Sequence, residues 1–212
     1  MHAQQLSQVT FSGGATLTSL AFVVDGEVLI RISEEGKIME WGIEVQSLRY
    51  NNYYAPKLQP YLGRVDYYGP EADSVNRGKV RSIGTATVTY YGPYETAEKI
   101  GKLKSVGTIA LDYYTNYENT SLKGKLKFIG NLLLNYYSSF EDQAFKGKIK
   151  SIGSSTITYY SSFDDKAIRG KIKNIGGTPY TWYTSLDHIG YGGSLKSPIG
   201  RQNISGITYI LQ

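Results

Sequence analysis

Lysine and tyrosine side chains recur along this chain every 23 residues, in a pattern that could bind an anionic partner or stack on sugar rings. Each recurrent glycine is followed by one cation, by a second cation two residues later, and further on by a tyrosine pair. Cations interleaved with aromatic rings suit acidic lipid headgroups, acidic glycans and cation–π contacts. The candidate binding residues are Lys79, Arg81, Tyr91, Lys102, Lys104, Tyr114, Lys125, Lys127, Tyr137, Lys148, Lys150, Tyr160, Lys171 and Lys173.

A structural interpretation of the same residues competes with the binding one. Lysines on an open sheet prevent aggregation, and tyrosines can pack across strands with their hydroxyl groups in water. Because every repeat carries these residues, including repeats that no ligand need touch, the structural interpretation is favoured. The net charge of +5 is modest for a nucleic-acid-binding protein, since a periodic row of acids offsets much of the positive charge. We therefore do not expect nucleic acid as a partner.

Catalytic chemistry has little support in the sequence. The chain contains no cysteine, which excludes disulfides, iron–sulfur and zinc–thiolate sites and cysteine nucleophiles. His188 lies beside Asp187, but no G-x-S-x-G motif accompanies them. The periodic acids are too sparse for calcium and are expected to bond their own turn backbone. We predict a non-enzymatic protein with no cofactor and no metal site.

A hydrolase is the alternative that these acids leave open. It would use His188 or a close pair of carboxylates. Among the acids outside the periodic row, Glu34, Glu35, Glu40 and Glu44 lie in the N-terminal part of the chain.

The elements that position these residues follow from the repeat itself. Each unit reads G-K-Φ-K-x-Φ-G-x-x-x-Φ-x-Y-Y-x-x-Φ-[DE], where Φ is apolar, and then varies until the next glycine. Self-similarity at a fixed period predicts a repeat architecture. The starting glycines are Gly78, Gly101, Gly124, Gly147, Gly170 and Gly193. The last Φ is Tyr94, Tyr117, Phe140, Phe163 and Leu186, followed by Glu95, Glu118, Glu141, Asp164 and Asp187.

Each unit contains two short segments rich in β-branched and aromatic residues, such as Gly147–Ile152 and Ser155–Phe163, without a helical period. One unit is therefore predicted to be one β-hairpin. If Val80 is to share a face with Val88, the loop between the strands must contain an odd number of residues. Gly84 suits the left-handed residue of a three-residue loop, so we expect such a loop, or a β-bulge, in every repeat.

Successive hairpins could form an antiparallel meander, or the units could be rungs of a β-solenoid. In a solenoid, equivalent lysines would lie ~4.8 Å apart, and like charges directly opposite each other are destabilising. In a meander they lie two strands apart, at ~9.6 Å. We therefore predict an all-β fold, built as a repetitive antiparallel hairpin meander, with a β-solenoid as the alternative.

The residues outside the repeats also have the composition of β-structure. Strands are predicted at Leu17–Val24, Glu27–Ile32, Lys37–Val45 and Ile204–Leu211, with a hairpin turn at Asp25-Gly26 and a loop at Asn51–Pro60. We interpret 1–60 as an N-terminal β cap that protects an edge, 61–192 as the hairpin array, and 193–212 as a C-terminal closing repeat.

One face of the predicted sheet is apolar and needs a cover. Val80, Val88, Tyr90 and their equivalents would expose a patch larger than the few hundred Å² that monomers roughly tolerate. A second copy, the N-terminal segment, a partner or closure of the sheet could cover it. We favour tight curling or self-association over a heterologous partner.

The repeat resembles the MORN (membrane occupation and recognition nexus) repeat over residues 67–192. Counting from Tyr159, the aromatic Phe163 and the glycine Gly170 fall where that family places them, whereas Ile172 replaces another of its glycines. In period and lysine content the units are also similar to the hairpins of the single-layer sheet in a spirochaete outer-surface lipoprotein. The MORN resemblance implies a scaffold that binds proteins or acidic phospholipids, and it implies no catalytic residue.

The expected location follows from the ends and the hydropathy of the chain. No apolar run approaches ~20 residues, so no transmembrane helix is expected. Met1 leads into His2-Ala3-Gln4-Gln5, which resembles the mature end of a secreted protein, so we expect a periplasmic or secreted location rather than a cytoplasmic one.

These patterns together predict a β-repeat scaffold that binds a protein or a surface, or associates with itself. The alternative is binding of a glycan or an anionic lipid through the face that carries the cations and tyrosines.

Overall fold

The computed structural model describes residues 5–44, 57–187, 190–196 and 200–212, which form 17 β-strands. Four regions that the sequence analysis used lie outside the described residues: Met1–Gln4, Val45, the first part of the loop predicted at Asn51–Pro60, and His188. No helix capable of crossing a bilayer occurs in the described residues. The strands are β1 (Leu6–Ser12), β2 (Thr16–Val24), β3 (Val28–Ile32), β4 (Ile38–Ile43), β5 (Val65–Tyr67), β6 (Val80–Ile83), β7 (Ala86–Tyr90), β8 (Leu103–Val106), β9 (Ile109–Tyr113), β10 (Leu126–Ile129), β11 (Leu132–Tyr136), β12 (Ile149–Ile152), β13 (Ser155–Tyr159), β14 (Ile172–Ile175), β15 (Thr178–Pro179), β16 (Arg201–Ile204) and β17 (Ile207–Leu211).

The strands belong to two sheets. The smaller sheet has the order β16-β17-β1-β2-β3-β4, and β1 pairs with β17 in parallel. The larger sheet has the order β15-β14-β13-β12-β11-β10-β9-β8-β7-β6-β5, so neighbours in space are neighbours in sequence. The predicted all-β hairpin meander is therefore confirmed, and the β-solenoid alternative is wrong.

The repeat hairpins close through loops of two residues. Ile83 pairs with Ala86, which leaves only Gly84 and Thr85 in the loop. Gly84 has a φ of +57°, which suits the first loop position of a type II′ turn. Of the two forms expected, a three-residue loop or a β-bulge, the loop is therefore not the one found. The equivalent closing pairs are Val106–Ile109, Ile152–Ser155 and Ile175–Thr178.

A β-bulge in the first strand of each repeat shifts the pairing register by one residue, which the two-residue loop does not do. The pairing of β5 with β6 shifts by one residue, so that Arg81 is an extra residue in β6. Because of this extra residue, Val80 and Ile83 are both buried on the face that carries Val88, whereas Arg81 is exposed. The predicted common face of Val80 and Val88 is confirmed, through a bulge. The extra residues in the five repeats are Arg81, Lys104, Lys127, Lys150 and Lys173.

The N-terminal strands do not cap the repeat sheet. Strands β1–β4 pair with one another and with the C-terminal strands in the smaller sheet, while the edges of the larger sheet are the short β5 and β15. The cap predicted at 1–60 and the closing repeat predicted at 193–212 both contribute to this second sheet instead. The physical reason is that β1 and β17 are buried at most of their positions, which is typical of strands covered on both faces rather than of edges.

The chain divides into two compact units, and each unit contains strands of both sheets. Unit 1 comprises Met1–Ser7, Ser19–Val45 and Pro56–Leu132, and unit 2 comprises Gln8–Thr18, Gln46–Ala55 and Leu133–Gln212.

In unit 1, the turn between β3 and β4 packs on the repeats. A Cβ atom placed on Gly36 would lie 1.8 Å from the hydroxyl oxygen of Tyr113, so the ring lies directly against this glycine. The backbone N–H of Leu126 donates to the carbonyl of Glu34 at 2.9 Å. A third contact joins the hairpin loops, where the hydroxyl of Thr85 donates to Asp25 at 2.6 Å.

In unit 2, the turn between β1 and β2 makes the equivalent contact. A Cβ atom on Gly14 would lie 1.8 Å from the ring of Trp182, and the N–H of Ile172 donates to the carbonyl of Gly14 at 2.8 Å. Gly176 lies similarly close to Ile204 of β16, at 2.6 Å from an added Cβ atom to Cγ2.

Within each unit, the apolar face of the repeats is therefore covered by the chain itself. Val88, Leu103 and Ile157 are fully buried, as are Phe11 and Phe22 of the smaller sheet. As the cover of this face, the chain's own N-terminal and C-terminal strands take the place that we expected curling or self-association to fill, because they supply a second apolar sheet. Self-association of the chain stays a prediction. Of the covers considered from the sequence, the N-terminal segment is the one found, together with β16 and β17.

Candidate binding surface

The first cation of each repeat is fixed by the next stretch of backbone. We call Lys79, Lys102, Lys125, Lys148 and Lys171 the first-row lysines. The Nζ atom of Lys148 donates a 2.5 Å hydrogen bond to the carbonyl of Gly170, which starts the next repeat. The equivalent acceptors are the carbonyl of Gly101 for Lys79, of Gly124 for Lys102 and of Gly13 for Lys171, and the carboxylate of Glu34 for Lys125.

The first-row lysines also lie over the first aromatic ring of the tyrosine pair. Lys148 Nζ is 5.1 Å from the ring centroid of Tyr159, and the Tyr159 hydroxyl donates to the carbonyl of Ile149 at 3.0 Å. Partial removal from water lowers the pKa of Lys148. The same ring contact joins Lys79 to Tyr90, Lys102 to Tyr113 and Lys171 to Trp182. The donors of this row therefore already have partners within the fold.

The second cation of each repeat is the extra residue of the bulge. We call Arg81, Lys104, Lys127, Lys150 and Lys173 the bulge cations. Lys150 Nζ lies 5.0 Å from the ring centroid of Tyr137 and 3.1 Å from a carboxylate oxygen of Glu141. Four of the five are exposed, namely Arg81, Lys104, Lys150 and Lys173. Each bulge cation lies beside the ring of the second tyrosine of a tyrosine pair. Besides Lys150 and Tyr137, the contacts are Arg81–Tyr68, Lys104–Tyr91, Lys127–Tyr114 and Lys173–Tyr160.

The second tyrosines connect adjacent hairpins. The hydroxyl of Tyr137 donates to the carbonyl of Ile157 at 2.9 Å, and that of Tyr91 donates to the carbonyl of Leu111 at 2.8 Å. Burial, assisted by the nearby carboxylate of Asp112, raises the pKa of Tyr91 to about 12. These rings are half-buried, and their hydroxyl groups are hydrogen-bonded to the backbone of the adjacent hairpin.

The two cation rows, which we expected on one face with the tyrosines, make different contacts in the structure. First-row lysines contact the buried first rings and backbone carbonyls, whereas bulge cations contact the half-buried second rings. The reason is the bulge, because it places the second cation outside the regular alternation of the strand. Within each unit the structure brings the predicted cations and tyrosines of neighbouring repeats together, and the bulge cations Arg81, Lys104, Lys150 and Lys173 are more exposed than the first-row lysines.

The periodic acids are turn residues, as predicted. Asp187 accepts hydrogen bonds from the N–H of Thr184 at 2.6 Å, from the Thr184 hydroxyl at 2.8 Å and from Lys196 at 3.0 Å. These bonds, led by the backbone N–H, lower the pKa of Asp187 to about 2. The equivalent backbone bonds join Glu118 to Thr115, Glu141 to Ser138 and Asp164 to Ser161.

A third periodic row stands free in solvent, and the sequence analysis did not propose it as a site. We call these residues, which directly precede the acids, the tip residues. Their exposed fractions are 100% for Tyr94, 93% for Tyr117, 98% for Phe140, 96% for Phe163 and 93% for Leu186. A large apolar side chain at such a position adds nothing to the buried core.

The tip residues could have been identified from the sequence, because their position holds a large apolar side chain in every repeat while nearby loop positions change in type. Three residues after the first four tips, positions that are also exposed hold Ala97, Thr120, Gln143 and Lys166. Duplication of a unit would preserve both positions alike, whereas only the tip keeps a large apolar side chain. The tip residues therefore recur at positions where they contribute nothing to the buried core.

In unit 2, the loops that carry the tips are bonded to each other. The carboxylate of Asp142, two residues after one tip, accepts from the N–H of Ser162 at 3.0 Å and from its hydroxyl at 2.9 Å. Asp165 accepts the same pair of bonds from Ser185 in the next loop. Ser162 and Ser185 directly precede the next tip residues, so these carboxylates help to fix the tips in place.

The hydrolase alternative gains no support from the described residues. Glu34 pairs with Lys125 at 3.2 Å, and Glu40 pairs with Arg31. A cleft of about 570 Å³ in unit 2 is lined by groups such as Trp182, Tyr183, Tyr191 and Lys196, and its described lining contains no Asp or Glu side chain. No group of three metal-ligating side chains occurs in the part of the chain that the structure describes.

Comparisons of the chain with protein-family models, with curated proteins and with solved structures found no match. The resemblance to MORN repeats therefore stays a prediction from the sequence.

Proposed function

We propose that this chain is a non-enzymatic binding scaffold that holds its partner through the tip residues. The observation that carries the proposal is the row of five large apolar side chains that are almost fully exposed. Apolar side chains scattered singly over a surface are normal, but these five recur at one position of successive repeats, and this regularity favours an interaction site. The resemblance to MORN repeats, which implies a scaffold role, points in the same direction.

The loops support this role because they are already ordered. The turns of Tyr117, Phe140, Phe163 and Leu186 are closed by the carboxylate that follows the tip, and in unit 2 adjacent loops are also bonded to each other. A ligand would therefore meet prearranged side chains, and less conformational entropy would be lost on binding.

A charge-neutral pair of triple variants tests the proposal. The tip variant carries Tyr94→Ser, Tyr117→Ser and Phe140→Ser, and the matched control carries Ala97→Ser, Thr120→Ser and Gln143→Ser in the same loops. Binding is measured to a protein array, to immobilised polysaccharides, to phospholipid vesicles and to the chain itself. We expect wild type and control to bind one class equally, and the tip variant to bind it at least about tenfold more weakly. Binding that the tip variant retains in full would contradict the proposal.

A second candidate function is binding of an anionic lipid or acidic glycan through the bulge cations. It is favoured by the exposure of Lys104, Lys150 and Lys173 beside half-buried tyrosine rings. Salt-sensitive binding to anionic vesicles that survives the tip substitutions, but is lost when these three lysines become glutamine, would select this candidate over the first.

A further inference from the structure

We infer that the tip residues bind an extended, neutral, β-linked polysaccharide. This inference rests on the proposed function and names its ligand class. In each unit, two aromatic tips come from adjacent repeats: Tyr94 and Tyr117 in unit 1, and Phe140 and Phe163 in unit 2. Each unit therefore offers two aromatic platforms that are one repeat apart.

The spacing of the platforms favours this ligand. Adjacent repeats in the meander are displaced by two strands, so their equivalent residues lie ~9.6 Å apart across the sheet. In an extended β-1,4-linked polysaccharide, successive sugars turn over, and every second ring presents the same face. The repeat distance of such a chain is that of one disaccharide, which is close to this spacing of two strands. One sugar in two could thus stack on a tip.

The chemistry of the sugar ring also matches an exposed aromatic side chain. Sugars in β-1,4-linked glucan and chitin hold most of their substituents equatorially, so the ring faces present C–H groups. A tip such as Phe163, exposed to 96%, can accept such a face without first losing contacts within the fold. An aromatic ring with few rotatable bonds provides this contact area at a low entropic cost.

The surroundings of the tips disfavour other occupants. Each tip is followed by a carboxylate, so an anionic lipid surface would meet negative charge at the aromatic row. Bulge cations or Lys196 neutralise some of these acids, as in the pairs Lys127–Glu118, Lys150–Glu141 and Lys196–Asp187. The loops therefore present paired charges, which suit a neutral ligand.

A protein partner is disfavoured by the isolation of the apolar groups. Stable protein interfaces bury roughly 800 Å² on each side in a continuous, well-packed patch. Here single apolar side chains are separated by polar turn residues, such as Ser161 and Ser162 before Phe163 and Asp164 and Asp165 after it. A regular row of single platforms fits a polymer with a short repeat better than a folded surface.

Co-sedimentation with insoluble polysaccharides tests the inference on the whole chain. The probes are microcrystalline cellulose, chitin and granular starch, in which starch provides an α-linked, helical polymer of similar polarity. We expect retention on cellulose or chitin, displacement by soluble β-linked oligosaccharides, and at least fivefold weaker retention on starch. The double variant Phe140→Ser with Phe163→Ser should lower retention about tenfold, whereas Phe140→Tyr with Phe163→Tyr should restore most of it.

The controls separate this inference from the proposed function. Gln143→Ser with Ala144→Ser changes the same loop without a tip, and thermal unfolding of every variant confirms that it is folded. Absent retention on both β-linked polymers, equal retention on starch, or insensitivity to the Phe140 and Phe163 substitutions would overturn the inference. If tip-dependent binding to a protein or a vesicle appears instead, the proposed function stands while the polysaccharide is wrong. If the tip substitutions weaken binding to none of the probes, both the proposed function and the polysaccharide inference are wrong.

Discussion

Two lysines of one repeat, two positions apart in sequence, do different work in this fold. Lys148 lies partly buried over Tyr159 and donates to the carbonyl of Gly170, whereas Lys150 is exposed beside Tyr137 and Glu141. Lys148 connects one repeat to the next, because the carbonyl that accepts its hydrogen bond belongs to the glycine that starts the next repeat. Lys150 forms a surface ion pair, which contributes little to stability in water.

The difference between these lysines can be measured by replacing each with methionine, which keeps the apolar stem. We expect Lys148→Met to lower the free energy of unfolding by about 1–2 kcal/mol, through loss of the hydrogen bond and the cation–π contact. Lys150→Met should lower it by no more than about 0.5 kcal/mol. Urea denaturation monitored by tryptophan fluorescence gives both values, and equal effects would show that the first-row bond adds no stability.

At the scale of the element, the hairpin owes its amphipathic character to one extra residue. The two-residue loop at Gly153 and Ser154 alone would place the wrong residues of β12 on the buried face, since side chains alternate along a strand. The bulge at Lys150 corrects the register, so that both Ile149 and Ile152 are buried. The bulge also carries the cation outward, which is why a structural irregularity and an exposed charge recur together.

Deletion of Lys150 tests the role of the bulge separately from the role of its side chain. Without the extra residue, Ile149, Ser151 and Ile152 alternate regularly, so Ile149 keeps both its pairing with Tyr136 and its burial. We expect the deletion to lower the free energy of unfolding by no more than about 1 kcal/mol, because a regular ladder replaces the bulge and no apolar side chain becomes exposed. Lys150→Ala, which keeps the bulge, should have an effect near that of Lys150→Met. A loss of about 3 kcal/mol or more on deletion, as for a large buried side chain, would show that the bulge does more than set the register.

At the scale of the whole molecule, each unit is stabilised by contacts between residues far apart in sequence. In unit 2, Gly14 lies against the ring of Trp182, and the neighbouring Gly13 accepts a hydrogen bond from Lys171 at 2.6 Å. In unit 1, Gly36 lies against Tyr113 in the same manner. A glycine is required at these points because any side chain would occupy the volume of the ring. Such contacts bury the apolar face of the repeats within one chain.

The two neighbouring glycines offer a matched test of this contact. Both have a positive φ, of 57° for Gly13 and 62° for Gly14, but an added Cβ atom meets nothing within 4 Å at Gly13 and the Trp182 ring at Gly14. We expect Gly13→Ala to lower the free energy of unfolding by about 1 kcal/mol through backbone strain, and Gly14→Ala by about 3 kcal/mol or more through strain and displacement of the ring. Similar values from urea denaturation would show that the ring moves aside freely.

Several features of the fold could be read from the sequence because they depend on local chemistry. The period of 23 residues, the hairpin in each unit and the carboxylates that close the turns, such as Asp187 on Thr184, all involve residues near one another in the chain. The choice of a meander over a solenoid followed from repulsion between like charges at neighbouring positions. These effects act within one unit or between adjacent units, so the pattern of residue types is sufficient to predict them.

Other features depend on where distant backbone lies, and residue types do not encode that directly. A three-residue loop, or a two-residue loop with one extra residue in the strand, places Val80 on the same face as Val88. The common buried face was therefore predictable, but the choice between these two solutions was not. The cover of that face comes from strands of the other sheet, whose burial on both faces appears only when the two sheets meet. The tip residues had the same apolar signal as core residues, and only their position at the loop ends distinguishes Phe163, exposed to 96%, from Tyr159, which is buried. Burial is a property of the assembled chain, because it depends on which surfaces meet rather than on the side chain alone.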